Sequence, residues 1–507
     1  MTTHLVPPRH GVNYLPHQVE GIRWMLLREQ EQEQPDHHNT CRGGILADDM
    51  GLGKTFQTIG LIKNSPIKRT LILCPPVLVS SWSDELTACG LRVRLRLPGL
   101  PRFSGSTVGE KNDKDNDVYI MTFPQSIQFP YLTRAMAFQR VVLDEGHVIR
   151  NGAAIRAWQA CCALSELSLT RWVLSATPIQ NGIKDLRNLC AFLRTTSTTI
   201  DSYIMLRRTM AQLRDNNSNI QVPPMPVFHV HALSITPQTP EQRVFRRLSS
   251  NRQEYMLPLV RYLRLQQFIV HPQLFTQATQ GEATTWRGDA TKWQAFCSVL
   301  ADSHEPTIVF CQFRQEIDMV CQVATGACVV TVCGGLGAEQ IRQNIRRAKH
   351  AAQEGNLRQR VVVVVQIGAG GCGLNLQFCT RILFLSKHWN PAVVHQAVGR
   401  AVRIGQKHVV HVHSFTISDS EGEGNGDGDS EGDGHGHGHG DGDSDGDSDR
   451  EGKIDRVGTS TNHSNKDKEN QNETWINLDY RLGQRHVEKI SAARSICPTL
   501  YEGFHIT

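Results

Sequence analysis

Short apolar runs alternate with helix-length stretches twice along this chain of 507 residues, and that rhythm points to parallel sheets with crossover helices. In the first set the runs are Gly44 to Ala47, Thr70 to Cys74, Val118 to Thr122, Arg140 to Leu143 and Arg171 to Ser175. The second set is Thr307 to Cys311, Cys328 to Val332, Val361 to Val365, Arg381 to Leu385 and Val409 to Phe415. From Asp185 to about Trp286 the pattern becomes helical and rich in arginine, with Val222-Pro-Pro-Met-Pro226 as punctuation, so the junction between two α/β lobes is expected there. Gly105 to Asp117 reads as a surface loop.

No apolar run reaches the ~20 residues that span a bilayer. The start, Met1-Thr-Thr-His-Leu-Val-Pro-Pro-Arg9, lacks the basic-then-apolar build of a secretory signal, so a soluble, intracellular protein with no membrane partner is expected. Fourteen cysteines are scattered with none at C-x-x-C spacing, which suggests reduced thiols and argues against a zinc finger or RING module.

The formal net charge of +5 hides an asymmetry, because Asp419 to Glu451 holds thirteen acidic residues and one basic residue, Arg450. The rest of the chain is therefore strongly basic, which suits a polyanionic partner or simply a solvated basic surface. From Asp419 to about Thr474 the composition cannot bury enough apolar surface to fold, and a disordered insertion is expected. Its Gly434-His-Gly-His-Gly-His-Gly440 tract reads as a weak metal tract or a flexible spacer. Trp475 to Thr507 regains apolar periodicity and is expected to form a closing helix.

Four segments carry chemistry. Asp48-Asp-Met-Gly-Leu-Gly-Lys-Thr55 follows an apolar run, which places a glycine-bearing turn between strand and helix. There Gly51 and Gly53 let backbone N–H groups approach phosphate oxygens, Lys54 reaches the β and γ phosphates, and the Thr55 hydroxyl takes a Mg²⁺ position. Asp48 replaces the first glycine of the plain phosphate-loop pattern. Arg140-Val-Val-Leu-Asp-Glu-Gly-His147 is an apolar strand ending in two carboxylates, with Asp144 suited to hold Mg²⁺ and Glu145 to deprotonate the attacking water. Leu174-Ser-Ala-Thr-Pro178 follows a further strand. His395-Gln-Ala-Val-Gly-Arg-Ala-Val-Arg403 spaces Arg400 and Arg403 one helical turn apart, so both can point across a cleft as arginine fingers.

In this order the segments resemble the SWI/SNF-like DNA-dependent ATPases of helicase superfamily two, over nearly the whole chain except the acidic insertion. Leu15-Pro-His-Gln-Val-Glu-Gly-Ile-Arg-Trp24 is similar to that family's adenine-side motif and Pro75 to Glu85 to its motif Ia. Leu206-Arg-Arg-Thr209, Val222-Pro-Pro224 and Leu263-Arg-Leu to His271-Pro272 match its inter-lobe segment. Gly370 to Leu376, Trp389-Asn-Pro391 and Arg403-Ile-Gly-Gln406 match its motifs V and VI.

The resemblance implies an α/β fold of two RecA-like P-loop lobes with parallel sheets. Lobe 1 would occupy residues 1–200, a helical inter-lobe region 201–285 and lobe 2 residues 286–418, before the insertion at 419–474 and a C-terminal helix on lobe 2 at 475–507. It implies ATP and Mg²⁺ in the cleft. Gln18 would read the adenine, with Asp48, Met50, Gly51, Leu52, Gly53, Lys54 and Thr55 around the nucleotide, Thr55 and Asp144 on the metal, and Glu145, Lys54, Gln396, Arg400 and Arg403 catalytic. Nucleic-acid or coupling surfaces would include Trp82, Thr122, Ser175, Thr177, Gln312, Gly371, Gly373, Asn375 and Trp389. Three positions depart from the pattern: Gly146 stands for the usual Ala, a mild change, and Gly399 and Val402 replace Asp and His.

The expected function is an ATP-dependent translocase on double-stranded DNA, gripping its backbone without sequence preference and acting as a monomeric motor. Nucleosomes or DNA-bound proteins would be partners, and remodelling, repair or protein displacement the use, in the nucleus or at a viral replication site. A virus-encoded member is compatible with the compact architecture and the insertion. Two other classes remain open: a viral-type transcription ATPase or RNA helicase, and a non-catalytic DNA-binding scaffold.

Overall fold

The computed structural model describes residues 5–30, 41–95, 117–130, 136–179, 182–195, 203–216, 222–250, 258–281, 284–353, 360–370, 374–386, 388 and 390–418. The expected insertion at 419–474, the closing helix at 475–507 and most of the loop expected from Gly105 to Asp117 lie outside the described residues.

The first sheet has seven strands: β1 (Gly43–Leu46), β2 (Thr70–Cys74), β3 (Arg92–Arg94), β4 (Asp117–Thr122), β5 (Arg140–Asp144), β6 (Thr170–Leu174) and β7 (Met205–Leu206). Their order is β3-β4-β2-β5-β6-β1-β7, and every pairing is parallel. Alternate side chains serve opposite faces. Leu71, Leu73, Val141, Leu143 and Val173 enter one core, while Ile72, Cys74, Val142, Trp172 and Leu174 enter the other. The carboxyl ends of β1, β5 and β6 therefore lie along one edge, the edge where open parallel sheets bind ligands.

The helix α1 (Pro16–Gln30) is fastened to this sheet by a buried ion pair. Arg140 donates from Nε and Nη2 to the two Glu29 oxygens at 2.6 and 2.5 Å, and Trp172 Nε1, Thr170 Oγ1 and Ser65 Oγ donate to the same carboxylate. Removing one partner of such a pair costs about 3–5 kcal/mol, because the other charge is left buried.

The second sheet contains β8 (Val227–Ser234), β9 (Thr307–Cys311), β10 (Cys328–Val332), β11 (Val361–Gln366), β12 (Arg381–Phe384) and β13 (His411–Ser418). Its order is β10-β11-β9-β12-β13-β8, again all parallel. The β-branched run Val361 to Val365 forms an interior strand between β10 and β9, with no residue more than 2% exposed. Each such burial contributes roughly 1.5–3 kcal/mol.

Residues 201–285, expected to be helical, contribute one strand to each sheet. β7 extends the first sheet beside β1, and β8 pairs with β13 along its length, from Val227 opposite His411 to Ser234 opposite Ser418. In β8, His229 and His231 hydrogen-bond to His411 and His413 at 3.0 and 3.1 Å, whereas Phe228 and Val230 on the other face are exposed. This alternation of histidine with exposed apolar residues does not carry the buried-strand signature.

Among the described residues, no helix is long and apolar enough to cross a membrane, and no disulfide joins the twelve cysteines.

Candidate active site

The turn after β1 is set by two glycines. Gly51 and Gly53 have φ of +84° and +82°, a left-handed conformation that only glycine adopts without strain. The helix α2 (Lys54–Asn64) then begins with no side-chain cap, so its first N–H groups and the positive end of its dipole are available to an anion. Lys54 donates from Nζ to the carbonyls of Asp48 and Asp49 at 2.6 and 3.2 Å. Burial lowers its pKa, and the surrounding charges of Glu145, Asp48, Asp144 and Asp49 oppose that.

Asp48 meets Lys54 through its backbone carbonyl, while its carboxylate is engaged elsewhere. Its side chain is fully buried, with Oδ1 accepting from Arg208 Nε at 3.0 Å and Oδ2 from Arg208 Nη2 and Gln57 Nε2 at 2.6 and 2.9 Å. Asp49 is held likewise by Arg207 Nη2 and the Met210 N–H. Gln18 lies against the turn, its Nε2 3.3 Å from the Leu52 carbonyl, and His17 Nε2 shares that carbonyl at 2.9 Å. Met50 and Leu52 are buried beneath the loop, and Thr55 follows Lys54 in the first turn of α2.

At the end of β5 the two acids are differentiated. Asp144 accepts from Trp82 Nε1 at 2.6 Å and from the Glu145 N–H at 3.0 Å. Burial and the Glu145 charge push Asp144 upward. For Glu145 the effect of burial is outweighed by His147, Arg400 and Lys54, which hold it ionised. His147 Nδ1 is 3.3 Å from Glu145 Oε2. Glu145 has a φ of +52°, strain that a non-glycine residue retains only where the surroundings dictate it.

Gly146 is not a mild replacement in this setting. A Cβ there would lie 2.5 Å from Val173 Cγ1, so alanine would have to displace a core valine.

From the second sheet, the helix Pro391–Val398 ends earlier than a continuous helical turn carrying both arginines would require. Arg400 and Arg403 instead lie in hydrogen-bonded turns, with Arg400 N–H donating to Ala397 O and Arg403 Nε to Gly399 O. Both arginines interact electrostatically with Glu145: Arg400 helps hold it ionised, and burial together with Arg400 lowers Arg403 to about 9 while Glu145 opposes the shift. The lobes touch closely. A Cβ on Gly51 would be 2.9 Å from Arg403 Cα, and one on Gly399 would be 2.9 Å from Met50 Cβ. Gln396 Nε2 is 3.3 Å from Thr177 Oγ1.

The residues expected on nucleic-acid or coupling surfaces divide by position. Trp82, Thr122, Ser175 and Thr177 are buried. Trp82 binds Asp144, Thr122 forms a capping box with Gln125, and Ser175 Oγ accepts from the Thr177 N–H. Gln312 lies at the carboxyl end of β9, its N–H donating to Glu316, and Asn375 is exposed. Gly371, Gly373 and Trp389 lie outside the described residues. His17, Gln57, His147, Arg207 and Arg208 join the site beyond the residues expected from the sequence. Arg207 and Arg208 belong to Leu206-Arg-Arg-Thr209, but nothing in the sequence shows which acids they meet.

The donors fit a Mg²⁺–nucleotide. Asp144 and Thr55 offer hard oxygen ligands, and an ionised carboxylate keeps lone pairs beyond its two hydrogen bonds, while the uncapped first turn of α2 presents N–H groups to an anion.

Comparison with known proteins gives the family. Residues 17–221 match the SNF2-related domain and residues 291–405 the helicase conserved C-terminal domain. The chain is 28% identical to the "Probable global transactivator" of Orgyia pseudotsugata multicapsid polyhedrosis virus, over 80% of this chain and 86% of that protein. It is 22% identical to the chromodomain-helicase-DNA-binding protein 1-like of Danio rerio, over 79% of this chain but 41% of that longer protein. The Sulfolobus solfataricus SWI2/SNF2 ATPase core in complex with dsDNA matches 82% of this chain and 90% of its own at 21% identity, with a TM-score of 0.38.

Proposed function

Because the chain belongs to the SNF2-type ATPases of helicase superfamily two, we propose that its ATP cycle drives movement along double-stranded DNA. The observation that supports this most directly is the approach of Arg403 to Gly51, which sets arginines of one lobe over the phosphate turn of the other. Hydrolysis then depends on lobe closure, and closure is the mechanical step available to a motor.

ATP lies with its adenine toward Gln18 and its phosphates on the first turn of α2, where Lys54 neutralises them. Asp144 and Thr55 would hold Mg²⁺, which would offset the charge of the phosphates. Glu145, kept ionised by His147 and Arg400, accepts the proton of the attacking water. Arg400 and Arg403 stabilise the charge that develops on the transferred phosphoryl group, and Gln396 holds the lobes in register through Thr177. Opening after hydrolysis removes the arginines and lets one lobe advance along the backbone. Grip through phosphates makes binding salt-dependent and insensitive to sequence.

The viral relative supports a place in the nucleus or at a viral replication site, and its description favours a transcription-linked ATPase as the second reading. Displacement of a third strand from a triplex tests translocation on the duplex. ATP-dependent displacement is expected; hydrolysis that never displaces the strand would leave an ATPase without movement.

A further inference from the structure

Arg207 follows β7, and its guanidinium joins three segments that are distant in sequence. Nη1 donates to Ala47 O at 2.7 Å and to Ala176 O at 2.9 Å, while Nη2 donates to Asp49 Oδ1 at 2.9 Å. Its side chain is 5% exposed. The backbone reinforces the junction, with Ala47 N–H donating to Leu206 O and Asp49 N–H to Arg208 O.

On one side of Arg207 is the phosphate turn, whose Asp49 carbonyl accepts from Lys54. On the other is Ala176, beside the Thr177 hydroxyl that meets Gln396 from the second lobe. A continuous chain of contacts thus runs from Gln396 through Thr177, Ala176, Arg207 and Asp49 to Lys54. We infer that Arg207 is a positioning residue that transmits lobe closure to the phosphate turn. The inference rests on the reading that ATP is hydrolysed between the lobes.

Lysine cannot replace this arrangement. Its compact ammonium retains the charge but cannot span the three acceptors, on two separate segments, as the planar guanidinium does. Spatial continuity alone does not demonstrate coupling, so the test is a double-mutant cycle between Arg207→Lys and Gln396→Ala, whose side chains share no direct hydrogen bond here. Each single variant is expected to lower kcat by ~10-fold or more, with KM for ATP changed less than ~3-fold. The double variant is expected to fall no further than the worse single one. Multiplied losses, or a loss confined to thermal stability, would overturn the inference and leave Arg207 a structural strut.

A second measurement needs neither hydrolysis nor DNA. With one fluorophore on each lobe, a non-hydrolysable ATP analogue should draw the wild-type lobes together, and Arg207→Lys should bind the analogue without that shift. An equal shift in the variant would also overturn it. Wild-type turnover with and without duplex DNA, measured alongside, reports separately on the translocase reading.

Discussion

The indole N–H of Trp82 donates to Asp144 Oδ2 at 2.6 Å, linking the helix α3 (Val79–Ala88) after β2 to the acid at the end of β5. Trp82 is buried, so the donor is shielded from solvent, while Asp144 is only half-buried. Trp82→Phe keeps the aromatic packing and removes only that donor. A hydrogen bond to a charged group is worth about 1.5–3 kcal/mol, so turnover should fall roughly 10- to 100-fold. A Mg²⁺ titration at saturating ATP should show a raised requirement, with the melting temperature nearly unchanged.

Gly146→Ala should destabilise the first lobe by about 1–3 kcal/mol, because the new methyl group meets Val173 in a closed core. Combining it with Val173→Ala makes room for the methyl. Thermal unfolding should therefore show the double variant recovering part of the loss, whereas two independent destabilisations would add.

Glu316 contributes a pH dependence to the second lobe. Burial raises its pKa to about 7, although Ser386 and the Gln312 and Phe313 N–H groups bind its carboxylate. The folded value lies above the unfolded one, so its contribution is complete below pH ~4.5 and is lost as pH rises through about 7. Glu316→Gln, which cannot ionise, should unfold at higher urea than wild type at pH 8 relative to their ranking at pH 5. The change between those pH values should be on the order of 2–3 kcal/mol.

Much of this architecture was legible in the sequence. Thr70 to Cys74, Thr307 to Cys311 and Cys328 to Val332 form strands with the expected bounds, and the glycine turn, the paired acids and the two arginines meet as their order suggested. β3 was hidden because Arg92-Val-Arg94 shows no apolar run, and β8 because its histidines interrupt one. The roles of Asp48 and Trp82 could not be read locally. Each depends on a partner 160 or 62 positions away, Arg208 and Asp144 respectively, and spacing along the chain carries no information about such contacts.

The central claim is that Glu145 activates water for a motor that runs on duplex DNA. Steady-state ATP hydrolysis by wild type and Glu145→Gln should be measured without nucleic acid and with duplex DNA, single-stranded DNA or RNA. The account predicts turnover stimulated most by duplex DNA in wild type and lower by ~100-fold or more in the variant, as expected for a catalytic base. ATP binding without turnover on any track, or stimulation by RNA that matches the duplex, would contradict it.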